Sequence, residues 1–143
     1  MSLYTKTIMY KKVNHIGIAV KDIEKSLEIY RDLLGLELEG QHEVESQKVI
    51  TAFFPVGETH IELIQPTEGN VGVTKFLEKR DEGVHHICFE VDNIDQALKD
   101  LKDRGVRLID EEPREIEGEK KKMAFLHPKS TGGILIELYQ ICE

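Results

Sequence analysis

The stretch VNHIGIAVKDIEKSLEIY, beginning at Val13, returns in altered form as VHHICFEVDNIDQALKDL, beginning at Val84. No other feature constrains the fold as strongly, because internal self-similarity fixes architecture where local propensity only biases it. With an offset of 71 residues (86 − 15), His15 falls on His86, Ile16 on Ile87, Ile18 on Phe89, Val20 on Val91, Asp22 on Asn93, Ile23 on Ile94, Leu27 on Leu98 and Tyr30 on Leu101. The register runs from a segment of period two into one of period three to four, that is, from strand into helix.

Each half can be followed further. Asp22 and Asn93 are favoured helix N-caps. Ile23, Leu27, Tyr30 and Leu34 in one copy, and Ile94, Leu98 and Leu101 in the other, predict one buried helical stripe each. Gly35 and Gly105 follow as C-terminal stops. Three strand-like runs come next in each half: LELEG, KVITAFFPVG and HIELIQ in the first, VRLID, KKMAFLHP and GILIELYQ in the second. The chain therefore reads as α+β, two tandem βαβββ modules over about 12–66 and 83–141, joined by a linker over 67–82 that carries a short helix, VTKFLEKR. A single such module leaves one sheet face bare, so the two are expected to share one domain over 1–143, with a cupped mixed sheet and the helices outside.

Composition excludes several function classes. A formal net charge of −8 argues against a partner with a phosphate backbone or an anionic membrane surface. No apolar run reaches the roughly 20 residues of a membrane span, and MSLYTKTIMYKK lacks the apolar middle of a signal peptide, so a cytoplasmic protein is expected. Cys88 and Cys142 are too few for a disulfide framework and lack zinc-knuckle spacing.

The repeat also sets polar side chains where a packed sheet would not want them. In NHIGIAV, Ile16, Ile18 and Val20 alternate to one side, which leaves His15, Gly17 and Ala19 on the other. His86 and Cys88 take that face in the second copy, and alternation turns His85 away. In the last strands, Ile61 and Leu63 oppose Glu62, and Ile136 and Leu138 oppose Glu137. A lone strand histidine is usually structural, and a lone glutamate usually meets solvent. Two imidazoles and two carboxylates gathered by symmetry are different, because burying them uncompensated is costly and a divalent cation is the natural compensation. Mixed N and O donors suit cobalt, zinc, nickel, manganese or iron, and four ligands in a six-coordinate site leave two positions open.

With His15, Glu62, His86 and Glu137 on two βαβββ modules, the chain resembles the vicinal oxygen chelate superfamily. Within it, VNHIGIAVKDIEKSLEIYRDLLGLEL, GVHHICFEVDNIDQALKDLKDRGV and AFLHPKSTGGILIELYQ are similar to the methylmalonyl-CoA epimerase family. The resemblance implies one divalent ion per chain held by those four residues, an acyl-CoA substrate and a homodimer. It also implies removal of the C2 proton of a malonyl thioester, with the enolate oxyanion stabilised by the ion. Glu137 is the first candidate for the acid/base and Glu62 the second. Some relatives carry a further, non-ligand glutamate as a base. The matching position here is Thr51, with Gln47 and Lys48 nearby, so the second base is missing from its expected place.

Lys120, Lys121, Lys122 and Lys129 form the one basic cluster, and Lys122 and Lys129 are candidate contacts for coenzyme A phosphates or the substrate carboxylate. The run EIEGEKKK before them keeps only Gly118 of the glycine-rich loop common in the family. His60 shares the face of Glu62, and His127 reads as structural. Lactoylglutathione lyase is the main rival, having the same kind of site, but HPKSTGG replaces its Asp-Pro-Asp-Gly pattern. Glu62 argues against an extradiol dioxygenase, and four retained ligands argue against a non-catalytic binding module.

Overall fold

The computed structural model describes residues 8–116 and 118–142. The chain divides into two compact units. One runs from His15 to His85, and in the other the residues before His15 join those from His86 onward. Each unit thus holds the main part of one βαβββ module, and β1 (Tyr10–Ala19) and β5 (Gly83–Val91) both span a unit boundary.

In the first unit, β1 leads into α1 (Ile23–Leu27), a π-helical turn (Glu28–Leu33), and strands β2 (Gly40–Val44), β3 (Val49–Val56) and β4 (Thr59–Pro66). The strand order is β2-β3-β4-β1, with β1 parallel to β4 and the other pairs antiparallel. Asp22 starts the helix, its Oδ1 accepting the N–H groups of Glu24 and Lys25 at 3.0 and 3.4 Å. Gln65 of β4 adds a long-range cap, since its Oε1 accepts the Ile23 N–H at 2.8 Å. Val20, Ile23, Leu27, Ala52, Phe54 and Leu63 form the core beneath α1. The alternate residues Ala19, Val49 and Ile64 form a separate cluster with Val73 and Leu77 of α2 (Gly72–Arg80). Full burial of a side chain such as Leu27 or Phe54 contributes about 1.5–3 kcal/mol relative to exposure.

The second unit repeats the plan. β5 leads into α3 (Ile94–Asp103), then β6 (Arg114–Ile116), β7 (Lys121–Leu126), a 3-10 turn (Pro128–Ser130) and β8 (Leu135–Ile141). The order is β5-β8-β7-β6, with β5 parallel to β8. Asn93 caps the helix through the Gln96 N–H at 3.0 Å, and Gln140 Oε1 accepts the Ile94 N–H at 2.8 Å, the counterpart of Gln65. Val91, Ile94, Ala97, Leu98, Leu101, Ala124, Leu126 and Leu138 fill the core. Gly35 and Gly105 stop both helices at φ +76° and +87°, a region that favours glycine.

Three local expectations are corrected. LELEG is not a strand: Leu36 and Leu38 pack onto the first core while the chain crosses to the sheet edge, and pairing begins at Gly40. VRLID makes one bridge, Leu108 with Leu126. The N–H groups of Ile109 and Asp110 both turn to Phe125 O, and the Asp110 carboxylate takes the Phe125 N–H, so a side chain replaces the ladder. Leu34 does not join the helical stripe. The last turn winds wider than an α-helix, with Leu34 N–H donating to Ile29 O, and this leaves Leu33 and Leu34 80% and 62% exposed.

Candidate metal and substrate site

In the first unit the parallel register of β1 and β4 pairs His15 with His60 and Gly17 with Glu62. Gly17 has no side chain to compete with the carboxylate beside it, and one donor atom each from His15 and Glu62 lies within 4.8 Å of the other. His60 takes Glu39 instead, at 3.4 Å, and meets the edge of Phe53 at 6.5 Å between centroids. Thr51 is buried, and its hydroxyl donates to His42 O at 3.4 Å. Among the described residues, no carboxylate occupies the expected position of the second base.

The second unit places His86 and Glu137 together. His86 Nε2 is 3.6 Å from Glu137 Oε1, and both residues are 6% exposed. Cys88 is fully buried, is the register partner of Glu137, and brings its Sγ within 4.8 Å of that carboxylate. On the other side Glu137 is paired with Phe125, over which the Arg114 guanidinium sits at 5.6 Å.

Arg114 reaches this place because Asp110 holds it through two bonds of 2.8 and 3.0 Å. Burial works to raise the Asp110 carboxyl, but Arg114 and the Phe125 N–H outweigh it and hold the carboxyl below its ordinary value. The Asp110 bond, together with the field of Glu137, raises Arg114 in turn. Nothing in EEPREIEGEK marks Arg114 out, since a charge in a polar run reads as solvated surface.

Lysines 121 and 122 separate by strand alternation. Lys121 Nζ lies 5.4 Å from the ring centroid of Tyr139 and bonds to its phenol, which raises the lysine. Burial pushes the Tyr139 phenol up, and Lys121 partly offsets this. Lys122 instead faces α3, where it pairs with Asp95 at 3.4 Å, so it is not beside Glu137. Lys129 is exposed in the 3-10 turn, its N–H donating to His127 Nδ1 at 3.1 Å, which gives His127 its structural role. His85 packs edge-on against Phe76 at 5.1 Å, and burial lowers its imidazole. Of the run EIEGEKKK, Glu117 lies outside the described residues.

Each module thus presents one imidazole and one carboxylate, His15 with Glu62 and His86 with Glu137. Residues 14–125 match the glyoxalase/bleomycin resistance protein/dioxygenase superfamily. The chain belongs to this superfamily. Among its members, mitochondrial methylmalonyl-CoA epimerase of Mus musculus is 39% identical over 130 residues, covering 90% of this chain and 72% of that protein. The ethylmalonyl-CoA/methylmalonyl-CoA epimerase of Cereibacter sphaeroides is 37% identical over 134 residues, 93% of this chain and all of that one. A variant of the Streptomyces coelicolor methylmalonyl-CoA epimerase, solved with 2-nitronate-propionyl-CoA, superposes with a TM-score of 0.80 at 35% identity, covering 92% of this chain and 94% of the other. The superfamily fold is the α+β arrangement of paired βαβββ modules expected from the repeat. Among the described residues no helix is long and apolar enough to cross a membrane.

Proposed function

We propose that this protein is a metal-dependent epimerase of methylmalonyl-CoA, acting by proton transfer at C2. The observation that carries the reading is the matched donor pair in each module, His15 with Glu62 and His86 with Glu137, in a chain whose relatives bear that activity in their names. Two imidazole nitrogens and two carboxylates form a donor set that suits one first-row divalent cation. When bound, such an ion supplies the positive charge that stabilises an enolate oxyanion.

The chain's own residues do the rest. Glu137 Oε takes the C2 proton, helped by a buried setting in which its carboxylate has little water to displace. Glu62 is the carboxylate of the other module. Arg114 and Lys121, held on the face of Glu137 by Asp110 and Tyr139, suit the substrate carboxylate, and exposed Lys129 is free to meet a phosphate of coenzyme A. The dimer expected from the family resemblance belongs to this reading and is checked by sedimentation.

The test is elemental analysis of the purified protein, followed by C2 proton exchange of methylmalonyl-CoA in heavy water beside a hemithioacetal isomerisation assay. About one divalent ion per chain, with exchange and inversion of the thioester, is the expected result. Turnover of the hemithioacetal alone would move the assignment to a lactoylglutathione lyase. A chain that holds no stoichiometric metal, even after reconstitution, would overturn the ligand set.

A further inference from the structure

The sheet register defines rows of side chains at matching depth in the two modules. The ligand row of module one is Gly17, Glu62 and Phe53, and that of module two is Cys88, Glu137 and Phe125. Two residues further along each strand lies a second row. In module one it is Ala19, Ile64 and Thr51, and in module two it is Glu90, Tyr139 and Met123. Thr51, where some relatives place a catalytic glutamate, is in this row. Its module-two counterpart contains a carboxylate.

Glu90 is 6% exposed, and its Oε1 is buried with no hydrogen-bond partner. Its other oxygen lies 4.0 Å from Lys11 Nζ, at the limit of an ion pair, and the lysine side chain is 59% exposed. A solvated cation at that distance compensates a buried carboxyl poorly. By alternation Glu90 shares the face of His86 and Cys88, and the residue across from it, Tyr139, is two positions from Glu137 on β8. Glu90 and Glu137 are therefore diagonal neighbours on one face of the parallel β5–β8 pair. Among the described residues, the charged and titratable groups on this face around Glu90 include Lys11 of β1, His86 and Cys88 of β5, Glu137 and Tyr139 of β8 and, behind the phenol, Lys121 of β7.

We infer that Glu90 is the second proton-carrying carboxyl of this chain, filling from module two the role left vacant at Thr51. This rests on the epimerase reading and deepens it. One carboxylate removes the C2 proton: the C–H bond breaks, its electron pair passes into the enolate, and the carboxylate becomes a carboxylic acid. Glu90, in its acid form, donates a proton to the opposite face of C2, the electron pair returns to form the new C–H bond, and Glu90 is left as a carboxylate. The reverse reaction, or exchange with water, restores the pair.

The test uses the metal-loaded full chain, wild type and Glu90→Gln, with each epimer of methylmalonyl-CoA separately in heavy water, reading C2 deuteration and inversion independently. Glu90→Gln is expected to keep its metal and to invert the substrate on the order of 10²-fold more slowly or worse. It should still wash the C2 proton out of one epimer, the one served by the remaining carboxylate, and lose exchange of the other. Glu90→Ala, which gives module two the residue module one has at that depth, is the second variant should the glutamine form not fold, and the same asymmetry is expected. Exchange and inversion that fall equally for both epimers, or that do not fall, would overturn the inference while leaving the epimerase reading intact. A wild-type protein that exchanges neither epimer would overturn both.

Discussion

The second rows of the two modules differ although the strands carrying them repeat. In module one Ala19 and Ile64 are buried against Val49 and are roofed by Val73 and Leu77 of the linker helix, so the row belongs to a core. In module two the row carries Glu90 and Tyr139, with Lys121 over the phenol ring, and its burial is spent on polar groups. A duplicated unit needs its helix caps, glycine stops and outer core in both copies, because each copy must fold. The sheet face one layer past Glu62 or Glu137 is released from that requirement in one copy once the other is packed mainly with apolar groups. The difference teaches that the asymmetry an epimerase needs, distinct groups on the two faces of one carbon, can arise inside a symmetric scaffold by specialising a single row.

The largest expected effect tests the row of Glu62 and Glu137 itself. Glu137→Gln keeps an oxygen donor and removes the proton carrier, so turnover should fall by about 10²-fold or more while metal content largely survives. Glu62→Gln should be milder. Steady-state inversion rates with elemental analysis of both variants check this, and near-full activity in metal-loaded Glu137→Gln would end the base assignment.

Truncating the apolar row should act on stability alone. Ile64→Ala, at a site 5% exposed, is expected to cost about 2–4 kcal/mol by chemical denaturation. Activity per folded molecule should be retained if module one's second row is only a core. A catalytic defect larger than the loss of folded protein would erase the contrast between the rows.

How the row in module two is fed with charge is probed by Asp110→Asn, which disturbs the Arg114 fork and the bond to Phe125 N–H. Losing a buried charged acceptor, here with its side chain 14% exposed, costs on the order of 1–3 kcal/mol. The sign with pH follows from the lowered carboxyl. The folded chain gives up this proton more readily than the unfolded chain, so the stabilisation is full above the ordinary value of 3.8 and fades as pH falls through the folded one. The acid limb of the stability profile should therefore be shallower in the variant than in the wild type.

The smallest effect compares adjacent residues. Lys122→Ala removes a surface pair with Asp95 and should change stability by less than about 1 kcal/mol, with no change in KM. Lys121→Ala should raise KM for the acyl-CoA. Equal responses would mean that strand alternation does not separate the two lysines functionally.

The two βαβββ runs and the strand positions of the proposed donors were legible because a period of two followed by a period of three to four, written twice, leaves few architectures open, and the repeat sets His15 and Glu62 in one half where it sets His86 and Glu137 in the other. What escaped was set by single side chains acting on the backbone. Asp110 captures the Phe125 N–H and dissolves an expected strand, and the wide turn after Leu27 throws Leu34 outward. Arg114 and Glu90 were hidden for another reason. A charge that alternates correctly on a strand looks the same in sequence whatever it meets: only the 5.6 Å approach to the Phe125 ring places Arg114, and only the register with Tyr139 puts Glu90 in a buried row.

The matching glutamines, Gln65 and Gln140, each tie the last strand of a module to the start of its helix across 42 and 46 residues. This contact and the parallel pairings of β1 with β4 and β5 with β8 can form only when the last strand is present. Long loops must close before such contacts contribute, which slows the step that completes each module. During synthesis the first helix emerges well ahead of the carbonyl oxygen that caps it from Gln65, and β1 waits without its parallel partner until Pro66 has left the ribosome. The nascent module is then a hydrophobic strand with an open edge, the form of chain that chaperones hold. The order of the genetic text, histidine first and glutamate last in each half, is thus also a timetable, and a module brings its two proposed donors together at the moment it becomes able to fold.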